Sequence, residues 1–74
     1  MQLSSIEFID AKLLDIAKLL REDDAYYVKD AIISNIQDPD MPELVREMMD
    51  NYGYEAGIVE QVNGLIAEIV ERLD

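Results

Sequence analysis

Apolar residues recur along this chain at steps of three and four, the spacing that lines up one face of an α-helix. Four segments emerge. The first covers about residues 5 to 21, where Ile6, Ile9, Leu13, Ile16 and Leu20 share one face. Ser4 and Glu7 have capping-box spacing, with Leu3 and Phe8 at the staple positions on either side. Phe8 and Leu19 lie nearly in line with each other but off the main apolar face, and Leu14 points a third way. A helix apolar on several sides either lies centrally in a bundle or meets a second chain.

Glu22-Asp23-Asp24 interrupts the pattern and can cap a second helix over about residues 25 to 37. Ala25, Val28, Ala31, Ile32 and Ile36 form its inner arc, with Tyr26 and Ile33 at the edges and Tyr27, Asp30 and Ser34 opposite. Asp38-Pro39-Asp40-Met41-Pro42 is a turn, because each proline disfavours helix at the residue before it. Asp40 and Glu43 again have capping spacing, and a third helix follows over about residues 41 to 52. Leu44, Val45, Met48, Met49 and Tyr52 cover one side of it, and Glu43, Glu47 and Asp50 the other. Gly53 suits a left-handed C-terminal cap. The fourth helix takes about residues 54 to 73, with a broad apolar arc from Ile58 to Leu73 and a back carrying Gly57, Glu60, Gly64, Glu68 and Glu71.

Connections this short favour antiparallel neighbours. The pattern therefore predicts an all-α fold, a small antiparallel bundle of four short helices forming one domain over residues 1–74. A three-helix alternative joins the last two helices into one bent rod, and Gly53 argues against it. At 74 residues a core is marginal, since a chain of this size buries only about 60% of the surface it exposes when unfolded.

Composition narrows the chemistry. The chain has no cysteine and no histidine, so disulfide staples, thiolate nucleophiles, imidazole catalysis and the usual zinc sites are excluded. Ser4, Ser5 and Ser34 have no imidazole to activate them. Asp38, Asp40 and Glu43 are oxygen donors close in sequence, but they lack the order of a calcium loop and read better as turn and cap residues. The three glycines lack the spacing of a phosphate cradle. The expectation is a protein that is not an enzyme, with no metal and no cofactor. No run approaches the roughly 20 apolar residues of a membrane span, and the N-terminal residues have neither the basic region nor the apolar run of a signal peptide. A cytoplasmic location is expected.

Charge is the most informative property. Seventeen acidic residues face six basic ones, a net charge of −11, which excludes direct binding of nucleic acid through phosphate neutralisation. Residues 1–21 are neutral overall, whereas residues 22–53 carry nine acids against Lys29 and Arg46, and residues 54–74 carry five against Arg72. Glu43, Glu47 and Asp50 stand at i, i+4 and i+7, where side chains lie about 5–6 Å apart between Cβ atoms and like charges oppose the helix by a few tenths of a kcal/mol. Such a row can present carboxylates to a basic protein or nucleoprotein much as a nucleic-acid backbone presents phosphates. Acids on outer helix faces also serve solubility alone, yet −11 exceeds the charge that solubility needs in a small domain.

The expected partner-binding residues are thus Glu43, Glu47 and Asp50, together with Asp30 and, facing out beside it, Tyr27 on the second helix, while Tyr26, Tyr52 and Tyr54 edge the core with hydroxyls in water. Small acidic domains of this kind suit inhibitors, antitoxin-like or immunity-like proteins and phage or mobile-element accessory factors. The competing expectation is a helix-mediated structural or adaptor protein, a homodimer built on Phe8, Leu14 and Leu19. Gly57 and Gly64, with Ala56 and Ala67, could also admit a close helix neighbour.

Overall fold

The computed structural model of the chain describes residues 5–73. Four helices follow one another: α1 (Ser5–Leu19), α2 (Glu22–Ser34), α3 (Met41–Tyr52) and α4 (Ala56–Leu73), with no strand among the described residues. The proposed Ser4 cap and Leu3 staple fall on residues outside those described.

Each helix packs on its neighbours in chain order, and α4 returns to pack on α1, closing a ring of four. The directions follow from who meets whom. The α1–α2 junction at Arg21 touches Tyr52 and Tyr54 at the α3–α4 junction. At the opposite end the α2–α3 turn (Ile36, Pro39) shares a depression with Val70 and Leu73 at the end of α4. Along the α1–α4 seam, Arg72 lies over the Phe8 ring and Glu68 pairs with Lys12, so a step of four forward on α1 is a step of four back on α4. This is an antiparallel up-down-up-down bundle.

The core is the inward stripe of each helix: Leu13 and Ile16, Val28 and Ile32, Met41, Val45 and Met49, and Val59, Val62, Ile66 and Ile69. Every one of these side chains is apolar, and no buried side-chain polar atom among the described residues lacks a partner. Three residues expected on inner faces lie outside, one of them Leu73 at the end of α4, 44% exposed. Ile6, in the first turn of α1, is 74% exposed. Leu44 is exposed beside the α3 stripe.

The ends of α2 differ from expectation at both sides. It begins at Glu22, so the three acids form its first turn, where the helix dipole favours them. Its N-cap is Arg21, which makes no side-chain capping bond to the helix. It ends at Ser34 because Asn35 leaves helical geometry and places both its backbone N–H and its amide Nδ2 on the Ala31 carbonyl. Asp40 likewise makes no side-chain cap, and Asp38 Oδ1 instead accepts the Asp40 N–H at 2.9 Å, folding the turn. Gly53 ends α3 at φ 85°, its N–H and that of Tyr54 closing on the Asp50 and Met49 carbonyls. That break rules out one bent rod, and α4 starts at Ala56, with Glu55 carbonyl accepting from Ile58 and Val59. A Cβ added at Gly57 or Gly64 would meet nothing within 4 Å, so no helix of this chain uses them for close approach.

Candidate partner-binding surface

The acidic row is built by α3. Its inward positions Met41, Val45 and Met49 are fully buried, which fixes the helix rotation and turns Glu43, Glu47 and Asp50 outward together. All three are exposed, and none joins an ion pair with another described residue. Glu43 and Glu47 border a shallow depression with Pro42, Arg46 and Asn63, so the row leans toward α4.

The cations explain why it stays negative. Lys12 pairs with Glu68 at 3.1 Å and lies 5.3 Å from the Phe8 ring centroid, with Arg72 over the same ring at 5.1 Å. These two bases are therefore held at the α1–α4 seam. Arg21 is held at the helix junctions, and Lys29 faces α1 beside Asp10 and Leu14. Arg46 is the single basic residue of α3.

The other expected site residues do not join this row. Asp30 lines a separate depression on α2 with Tyr26, Lys29 and Ile33. Tyr27 is 57% exposed and sits edge-on to Tyr26, ring centroids 5.5 Å apart. Tyr26 is a correction, since at 70% exposure it edges no core. Phe8, Leu14 and Leu19 also part company. Leu19 packs against the core, Phe8 is half-buried under two cations on the α4 side, and Leu14 is exposed on the α2 side.

One constellation escaped the sequence reading. Tyr54 hydroxyl donates to Asp24 Oδ2 at 2.6 Å and accepts the Arg21 backbone N–H at 2.8 Å, so it does not rest in water. Arg21 Nε donates to the same Asp24 oxygen at 2.8 Å, its Nη2 donates to the Tyr52 carbonyl at 2.6 Å, and its guanidinium lies 4.6 Å from the Tyr54 ring centroid. This clasp ties the α1–α2 junction to the α3–α4 junction. The Tyr54 hydrogen bond first, and Arg21 second, hold the Asp24 carboxyl below its ordinary value of 3.8. Asp24 in turn raises the Arg21 value.

A folded-state value below the unfolded one gives stability that is complete above about pH 4 and fades as pH falls through the depressed value. Tyr54→Phe removes the acceptor of the Arg21 N–H, a bond worth about 1 kcal/mol net, together with the donor to Asp24. Denaturant unfolding of both proteins from neutral pH down to about pH 2.5 checks this. The expected difference is constant near neutrality and shrinks in acid, and a pH-independent difference would contradict the assignment.

Among the described residues no group of three or more acids converges as a metal site, and no helix is long and apolar enough to cross a membrane. Comparison with protein-family models, with curated proteins and with solved structures finds no match.

Proposed function

We propose that this chain is a non-enzymatic binding module that occupies the basic surface of a nucleic-acid-binding protein or nucleoprotein and thereby blocks it. The carboxylates of Glu43, Glu47 and Asp50 stand in for backbone phosphates. The observation that carries the reading is their shared outward exposure without internal ion pairs, while three of the six cations, Lys12, Arg21 and Arg72, are engaged away from this row. A fixed row on a rigid helix forms contacts at little entropic cost, and the surrounding negative potential speeds encounter with a cationic partner.

Glu47→Lys tests it. The variant is expected to bind an arginine-rich peptide about tenfold more weakly, a loss of about 1.4 kcal/mol, with a shallower salt dependence and an unchanged helical circular dichroism spectrum. A column carrying the wild type should retain a basic protein or nucleoprotein from the native host at low salt and release it at high salt, and a Glu47→Lys column should not. Equal binding by both proteins would refute the role given to α3.

A further inference from the structure

The bundle has a second face that the acidic row does not use. Because α1 and α2 pack side by side and the ring is closed by α3 and α4, the outer α1–α2 face is opposite the outer α3–α4 face. On α1, Ile6, Asp10, Leu14 and Lys18 follow one another at intervals of four, and on α2, Glu22, Tyr26, Lys29 or Asp30, and Ile33 form the matching row. The rows are contiguous, since Lys29 lines one depression with Asp10 and Leu14 and the next with Tyr26 and Ile33. Most of the large exposed apolar side chains are here: Ile6, Leu14 at 58%, Tyr26, its neighbour Tyr27, and Ile33 at 50%.

We infer that this face is the interface of a two-fold homodimer. Two observations choose a second copy over another occupant. The first is charge. The face holds Glu7, Asp10, Glu22, Asp23 and Asp30 against Lys18 and Lys29, net −3 in a chain of −11. Two of the chain's six cations, Lys18 and Lys29, lie on this face, so two copies can meet here with lysines opposed to the partner's carboxylates. The face is also self-complementary: a two-fold axis brings Lys29 of one protomer to Asp10 of its partner and repeats the pair on the other side. Within one chain, neither residue is in an ion pair with another described residue.

The second observation is area. The five apolar side chains expose on the order of 500 Å². Two-fold pairing therefore covers on the order of 1,000 Å², the lower bound of a specific interface. The dimer is accordingly weak and concentration-dependent, and it carries two acidic rows pointing away from each other. This inference is independent of the proposed function and survives its failure.

Salt separates the two. Screening relieves repulsion between like-charged protomers, so the dimer tightens with ionic strength, while binding of a cationic peptide weakens. Sedimentation equilibrium from about 1 µM to about 1 mM, at low salt and at about 0.5 M NaCl, reads the mass directly. The expected result is a rise from 8.5 kDa toward twice that value, reached at lower concentration in high salt. Leu14→Glu and Ile33→Glu are each expected to weaken association at least tenfold with helicity unchanged. Lys29→Glu weakens it too, and Asp10→Lys combined with Lys29→Glu restores it. A monomer at every concentration in high salt overturns the inference without any variant having to fold. A dimer indifferent to both Leu14→Glu and Ile33→Glu, or a charge swap that restores nothing, overturns it as well.

Discussion

Ile66→Ala is expected to cost about 3 kcal/mol, within the range of about 2–5 kcal/mol for truncating a buried aliphatic side chain, and to lower Tm by about 15 °C. The size of the effect comes from position. Ile66 is fully buried on α4, the longest helix, and α4 packs on both α3 and α1. Removing its three outer carbons loses their transfer free energy and leaves a cavity that tightly packed neighbours fill only in part. A domain of 74 residues has only about 4–11 kcal/mol of total stability, so the loss is a large share of it. Leu44→Ala, which trims an exposed side chain on α3, is expected to cost less than about 1 kcal/mol. Thermal and urea unfolding of the two variants check the contrast. Equal losses would show that the core is not centred where the inward stripes place it.

What the sequence revealed was set by periodicity. Spacing of three and four fixes which side of a helix turns inward, so the inward stripes and the outward set Glu43, Glu47 and Asp50 were readable in advance. Proline and glycine punctuation located α3 to the residue, since the α2–α3 turn and the left-handed Gly53 are local events.

Periodicity does not say which neighbour a flank meets. Tyr26, at the edge of the α2 arc, was expected at a core edge but faces out toward the α1–α2 side. Phe8 and Leu14 flank the α1 stripe on opposite sides and so face α4 and α2 respectively. The clasp was invisible for the same reason. Arg21 and Tyr54 are 33 residues apart, and only the antiparallel return of the last two helices joins them. An acidic run beside an arginine at a helix start could have flagged a junction ion pair, and Arg21 with Asp24 at i, i+3 does form one. Nothing local named the tyrosine. The ends of α2 were misplaced because Asn35 competes for the Ala31 carbonyl and the three acids can enter a first turn as readily as precede it.

In the proposed function, a located row of carboxylates, beyond net charge, makes the binding surface. Two triple variants separate the alternatives. One replaces Glu43, Glu47 and Asp50 by lysine. The other replaces Asp15, Glu22 and Asp23, which are equally exposed but lie off α3. Each acid-to-lysine change adds two charges, so both variants stand at −5 where the parent has −11. Each direct contact is worth up to about 1 kcal/mol at an exposed site, and reversal turns attraction into repulsion. The α3 triple should therefore weaken binding by about 100-fold. At physiological salt the Debye length is about 8 Å, so the control triple loses only the long-range part, less than about tenfold. The deciding measurement is isothermal titration of an arginine-rich peptide into the parent and both variants. A loss confined to the α3 triple is expected, and equal losses in the two triples would show that net charge alone, without a located row, sets the binding.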